Sequence, residues 1–548
     1  MQSQDLAANS RPSARRAARL GLCVVVLAGA VVVSLTALPK SLWMDEYFTL
    51  LEGIGQVPFV MPVPIDAAVD SRAIWAADDP AGVRAALRAG DNGNMSSFVF
   101  LTHALVKAFG PDRPFALVVP TIAAYLVSVC WCFRLGSLLF SDRAGLIAAF
   151  LCAFHKGMTI FAVELRSYAP AIALCLIASE CFLRIVGLNR HGFGPAPARL
   201  RLYAVLYAAF TLAALFTHYL SALVIAGHVV FAVLAVRNRR SWLALIAAGV
   251  VVVAVFVPVR ALFLSSEGYD IVDAYNGHTQ KIGRYAGKPA SVKGLVLLIG
   301  SALFALSGML ELPRAAATAG IPVALIGLAA VWPGVRRQVL TQKPQTLFVA
   351  VGAMAFLATA SIMLFLKFSV FPNAPRYQIF SAPFFALLIA RMLDAFLGDS
   401  SSIDHKGFRP RYGRVVVTGY LLLVALTPAI VLRDTLRYPK RNDHLTWARA
   451  IGERADQGKI QRVEAPSILD CQMLAFYLGP ERSVSLKVID TDRAAEVDRE
   501  LKSLGLWHPL AVFMETRDAY GADGLDATRI EAESDADGVL RLRYGKKG

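Results

Sequence analysis

The 548-residue chain predicts a polytopic α-helical membrane protein of about eleven spans, and three observations carry that expectation. Hydrophobic residues make up 56% of it and its mean hydropathy is +0.52, against roughly 45–50% apolar residues in soluble domains. Apolar runs of spanning length recur with few charges inside them, long enough for the hydrocarbon core of a bilayer. Arg and Lys gather in short clusters between the runs, as they do in cytoplasmic loops. A single soluble globule is excluded.

The first run, Leu20 to Leu38, follows Arg11, Arg15, Arg16 and Arg19. It is long enough to span, so it reads as an uncleaved first helix with a cytoplasmic N-terminus. The remaining spans fall at residues 115–139, 144–163, 168–186, 202–217, 219–236, 242–264, 317–333, 347–368, 377–397 and 414–433. Basic loops around Arg190 to Arg201, Arg237 to Arg240, Arg336 to Lys343 and Lys406 to Arg414 share one side only if the short runs 97–109 and 294–310 do not cross. Those two then lie as interfacial helices on the outer face; if they crossed, the count would rise to twelve or thirteen. An odd count places the C-terminus outside a cell (inner) membrane. The expected organisation is a membrane module at 1–433, including a long first outer loop at 39–114, and a small extracytoplasmic α/β domain at 434–548. In that tail, Trp447–Arg454 reads as helix and Leu510–Met514 and Val539–Tyr544 read as strands.

The formal charge of +16 invites a nucleic-acid reading, but its distribution argues otherwise. From residue 434 onward there are 18 basic and 20 acidic residues, which leaves 38 basic and 20 acidic for the membrane part. Nucleic acid is therefore not an expected partner, since the excess sits where the positive-inside rule puts it. Of the seven cysteines, only Cys471 lies outside the membrane part, and no CxxC pair or HExxH string is present. Neither a disulfide framework nor a metal site is indicated.

Chemistry-bearing residues cluster at the outer ends of spans. Asp45 and Glu46 follow the first span in Ser41-Leu42-Trp43-Met44-Asp45-Glu46-Tyr47; one carboxylate can act as base while the other positions a hydroxyl. The blander reading is a Trp anchor before an acidic helix start. Glu164, Arg166 and Tyr168 close the third span, with His155 and Lys156 inside its apolar run. An intramembrane lysine costs about 2.5–3.5 kcal/mol on insertion scales, so Lys156 calls for a partner or an anionic ligand; the alternative is an ion-pair lock between helices. His218 and Tyr219 divide two runs, and Arg376 and Tyr377 open another. Either cation alone could simply snorkel, but several converging on one face suggest a site.

These residues carry a resemblance. Trp43-Met44-Asp45-Glu46, Thr102-His103-Ala104-Leu105-Val106-Lys107-Ala108-Phe109-Gly110, Arg143-Ala144-Gly145-Leu146, Glu164-Leu165-Arg166-Ser167-Tyr168, Thr217-His218-Tyr219 and Pro375-Arg376-Tyr377 occur in this order over roughly residues 15 to 435. The set resembles the GT-C polyprenyl-phosphate-dependent membrane glycosyltransferases, which include protein mannosyltransferases, aminoarabinose transferases and rhizobial galacturonosyl transferases. It departs from them at Asp91-Asn92-Gly93-Asn94-Met95-Ser96-Ser97, where the group often has a Pro-Pro-Leu-Tyr type segment.

The resemblance implies a GT-C fold and a polyprenyl-phosphate-linked sugar as donor, with a glycan, lipid or protein acceptor. It makes Asp45 the general base with Glu46 beside it, and Asn94 and His103 part of an acceptor loop. Arg376, Lys156, Arg166 and His218, in that order, are the cations for the leaving phosphate, with Glu164, Tyr168, Tyr219 and Tyr377 completing the carrier site. Direct inverting displacement is expected, because adjacent carboxylates cannot flank a sugar as retaining chemistry requires. No cofactor is called for, although Asp45, Glu46 and Glu164 have the oxygens to hold a divalent ion. Two other classes share the composition: a transporter or lipid flippase, which internal repeats would favour and none is seen, and an inactive scaffold.

Overall fold

The structure, a computed structural model, describes residues 11–38, 42, 44–58, 67–90, 93–111, 113–195, 197–264, 343–354, 378–397, 410–437, 444–488, 525–534 and 539–546. The runs at 294–310 and 317–333, residues 355–368 of the run 347–368, and Leu510–Met514 lie outside these residues.

The chain opens with α1 (Arg11–Ala37), α2 (Met44–Gly53), β1 (Val69–Asp70), α3 (Pro80–Gly90) and α4 (Ser96–Phe109). The bundle continues with α5 (Pro114–Leu139), α6 (Asp142–Ala153), α7 (Lys156–Ala162), α8 (Tyr168–Val186), the small hairpin β2 (Leu188–Asn189) and β3 (Gly192–Phe193), α9 (Leu200–Thr217), α10 (Ser221–Ala235) and α11 (Arg239–Ala261). Then come α12 (Lys343–Ala353), α13 (Ala382–Leu397) and α14 (Pro410–Arg437). Among the described residues five helices are long and apolar enough to cross a membrane, or six if the bent pair α6 and α7 counts as one.

Burial separates lipid-facing helices from central ones. Helix α11 buries only Ser241 and Ala248 while Val250, Val253 and Val257 stand more than half exposed, which is tolerable only against lipid. Helix α8 is buried along nearly its whole length and packs on α5 and α9. Gly136 and Gly145 let α5 and α6 approach closely, since a Cβ at Gly136 would stand 2.6 Å from the Gly145 Cα. Small residues serve membrane helix contacts in this way.

The span expected at 144–163 is not one straight helix. It is two helices, α6 and α7, meeting at 61°, with His155 as the N-cap of α7 and its Nδ1 accepting the Met158 N–H at 3.3 Å. Lys156 therefore begins a helix instead of sitting midway along a straight one. A cation at a helix N-terminus opposes the dipole by about 0.3–1 kcal/mol.

Beyond α14 lie α15 (His444–Asp456), β4 (Arg462–Ala465), α16 (Ile468–Leu478), β5 (Ser485–Val488), β6 (Leu525–Ser534) and β7 (Val539–Lys546). The sheet runs β1-β5-β4-β7-β6, with β4 parallel to both its neighbours and β1 and β6 antiparallel to theirs. Ser467 caps α16 by accepting the Asp470 N–H at 3.2 Å, a common start signal for a helix. Strand β1 comes from the segment between α2 and α3, where Val69 pairs with Leu486 and Asp70 with Ser485. The tail therefore does not close its sheet alone.

Candidate functional site

Helix α2 carries the acidic pair and lies against the corner between α7 and α8. Glu46 is fully buried, and its Oε1 accepts the Leu165 N–H at 2.7 Å. Three residues on, on the same helix face, the Thr49 hydroxyl accepts from Arg166 Nη1 at 3.1 Å. Glu164 is also buried, and the corner is tightened by the Arg166 N–H donating to the Glu164 carbonyl at 2.8 Å. Asp45 is the second residue of α2, so the backbone brings both acids to the start of this helix.

Beside the corner, the Tyr168 ring lies 4.7 Å from Phe161, 5.0 Å from His218 and 6.5 Å from Phe380, centroid to centroid. His218 Nδ1 accepts the Leu220 N–H at 3.1 Å, which leaves the ring proton of the neutral form on Nε2. Phe380 stands 5.3 Å from the His218 ring, in the 3-10 turn Ile379–Ser381. Arg376 and Tyr377, which precede that turn, lie outside the described residues.

The segment that opens α4 latches onto the corner between α9 and α10. Asn94 Oδ1 accepts the Tyr219 N–H at 3.1 Å, Ser97 and Thr217 hydroxyls meet at 2.9 Å, and the Ser96 hydroxyl donates to the Phe216 carbonyl at 3.4 Å. Met95 is held there in the left-handed region at φ 59, a conformation costing roughly 1–2 kcal/mol for a residue with a Cβ. Asn94 is thus placed with Tyr219 and His218. His103 is not: its Nδ1 pairs with the Gly53 carbonyl at 2.8 Å and lies 3.3 Å from Asp78, which also binds Lys107. It ties α4 to the end of α2, about 13 Å along α4 from Asn94.

Arg260 joins the group without having been singled out by sequence. Its guanidinium lies 4.7 Å from the Tyr219 ring centroid, a cation–π contact. Its position in the last turn of α11, at the end away from the basic cluster Arg237 to Arg240, was the available signal. The opposite end of the bundle is different. There Arg134 forks onto Glu180 at 2.8 and 2.6 Å, Arg184 reaches Glu180 at 3.3 Å, and Arg143 and Ser141 hold Asp394. Along α8, the Glu180 and Arg184 of these ion-pair locks lie about 18 and 24 Å from Tyr168. Among the described residues no group of three or more His, Cys, Asp or Glu is placed to hold a metal ion.

No family model matches the chain, and no curated protein matches it in sequence. Solved structures do. ArnT, an aminoarabinose transferase from Cupriavidus metallidurans, matches in its apo state with a TM-score of 0.50 at 14% identity, over 88% of this chain and 89% of that one. The same enzyme bound to undecaprenyl phosphate matches with a TM-score of 0.50 at 14% identity, over 87% and 88%. The oligosaccharyltransferase AglB from Archaeoglobus fulgidus gives a TM-score of 0.46 at 14% identity, over 83% of this chain and 63% of that one. With its apolar helices and its likeness to ArnT along nearly the whole length of both chains, this chain is a helical membrane protein of the GT-C fold.

Proposed function

We propose that the chain is an integral membrane glycosyltransferase that moves a sugar from a polyprenyl-phosphate donor to a cell-envelope acceptor on the extracytoplasmic face. The observation that supports this most is the convergence at one end of the bundle. There the helix bearing Asp45 and Glu46 is hydrogen-bonded to the Leu165–Arg166 corner, with Tyr168 and His218 beside it. ArnT has been solved with undecaprenyl phosphate bound, and on this reading the donor here belongs to the same lipid-linked class.

Asp45 takes the proton of the acceptor hydroxyl as that oxygen attacks the anomeric carbon. The bond from that carbon to the carrier phosphate breaks, configuration inverts, and polyprenyl phosphate leaves with the electron pair. Glu46, already engaged by Leu165, positions rather than abstracts. Arg376, Lys156, Arg166 and His218 gather around the developing phosphate charge, where preorganised donors lower the barrier most. Tyr168, Tyr219 and Tyr377 offer rings to the carrier and sugar, and Glu164 holds the cations in place. The scheme uses about eleven spans, a cytoplasmic N-terminus and an outer tail in the cell (inner) membrane, and no cofactor. The sugar is a hexose or pentose, and the acceptor a glycan, lipid or protein.

Mass spectrometry of envelope glycans and polyprenyl-phosphate sugars, with and without the protein, tests this. A lipid-linked sugar should accumulate in its absence and one envelope modification should disappear. Unchanged lipid-linked sugars together with unchanged glycans would reject the reading.

A further inference from the structure

Tail and α2 meet through a buried hydrogen-bonded chain. Tyr47 Oη lies 3.1 Å from His444 Nδ1, and His444 Nε2 lies 2.9 Å from Asp470 Oδ1. The Ser467 hydroxyl donates to the other carboxylate oxygen at 2.6 Å. All four residues are buried. An ionised carboxylate only accepts, so Nε2–H donates to Asp470, and in the neutral ring Nδ1 accepts the Tyr47 hydroxyl proton. The Tyr47 ring also meets His444 edge-on, at 5.4 Å and 87°.

Tyr47 adjoins Glu46 in sequence, about 100° further round the helix. Glu46 and Thr49 face the membrane corner while Tyr47 faces the tail, so α2 is gripped from two directions. An apolar contact would hold α2 in place but allow it to roll, whereas a directional hydrogen bond fixes its rotation. The first outer segment is fastened to the tail elsewhere as well. Strand β1 pairs with β5, Trp75 stacks on Phe476 at 5.6 Å, and Trp75 Nε1–H donates to the Ala475 carbonyl at 3.3 Å. The Tyr47 to Asp470 chain is thus not needed to keep the tail attached.

We propose that His444, anchored by Asp470 and acting through Tyr47, is a positioning residue for the transfer step, by which the tail sets the rotation of α2 and the place of its acidic pair. This rests on the glycosyltransferase reading. Purified full-length chain in lipid nanodiscs would be assayed with lipid-linked sugar extracted from cells lacking the protein, and with membranes of those cells as acceptor. Tyr47→Phe removes only the hydroxyl; His444→Ala removes the link.

Each should lower kcat by about 10- to 100-fold, as small misplacements of reacting groups do, with KM for the lipid-linked sugar within about twofold. The double variant should be no worse than the worse single one, because both break the same chain. Buried Cys471 should stay inert to maleimide throughout, showing the tail still docked. Unchanged kcat in both variants overturns the proposal, and so does loss of activity accompanied by Cys471 labelling. If the unsubstituted chain transfers no sugar, the functional reading fails and takes the proposal with it; transfer by that chain with normal turnover in the variants defeats the proposal alone.

Discussion

Glu46 and Leu165 stand 119 residues apart in sequence, and a 2.7 Å hydrogen bond from the Leu165 N–H to the Glu46 carboxylate joins them in a fully enclosed place. The bond secures α2 to the corner of the bundle where α7 turns into α8. It also uses one of the two carboxylate oxygens, which is why Glu46 suits positioning better than proton abstraction.

Glu46→Gln keeps an oxygen that can accept the same N–H, so thermal stability in detergent should stay near that of the unsubstituted chain and turnover should fall modestly. Glu46→Ala strands a buried N–H, at about 1–3 kcal/mol, and should lower both stability and turnover. If Glu46→Gln proved as inactive as an Asp45 variant, the base would have to be reassigned to Glu46.

Topology follows from cysteine labelling in intact cells. Ala68 and Glu481 are exposed, and the proposed topology puts both outside, so new thiols there should react with an impermeant maleimide, whereas one at Ser401 should not. Native Cys471 should remain silent, because burial pushes its thiol up and encloses it; the thiolate is the reactive form. Reaction at Ser401 without reaction at Ala68 would invert the scheme.

How much of this was legible follows from distance along the chain. Helix α8 occupies residues 168–186, as its apolar run between Glu164-Leu165-Arg166 and Gly187 indicated, because both boundary signals are local. The break at His155 was not read, since the run is apolar on both sides of it and the bend depends on a side-chain cap. His103, expected in an acceptor loop, is bonded to Gly53 and Asp78, partners that only folding brings near. Tyr47 and His444 are 397 residues apart, and β1 is two residues long. No periodicity announces a pairing of that kind.

Asp70 gives a pH test of the joint between loop and tail. The Arg72 side-chain hydrogen bonds hold its carboxyl well below the usual carboxylate range, helped by the Ser483 hydroxyl donating at 2.7 Å. A lowered folded pKa means that the contribution to stability is complete above the unfolded value near about 4, and is lost only as pH falls through the lower folded value. Hydrogen exchange at Ser71, whose N–H donates to the Val484 carbonyl at 2.9 Å, should therefore stay equally protected from pH 7 down to about 4, after correction for intrinsic rates. Asp70→Asn should lose protection across that whole range. Loosening of the unsubstituted joint between pH 7 and 5 would contradict this account.

The sharpest test concerns Asp45. Asp45→Asn keeps the shape and removes the proton acceptor, so it should lower kcat by about 10²–10⁴-fold, the usual cost of losing a general base. Its place at the second position of α2 allows a separate helix-start effect, but an acid there is worth only about 0.3–1 kcal/mol. Folding and binding of the lipid-linked sugar should therefore survive nearly intact. If Asp45 merely opened the helix, stability would shift by that small amount and turnover would hardly change. Were the chain a transporter, the variant would alter movement of substrate across the membrane, and no sugar would be transferred by the unsubstituted protein either. Turnover, stability and lipid-linked sugar binding measured on one purified Asp45→Asn preparation separate the three, because only a lost base removes the first and spares the other two.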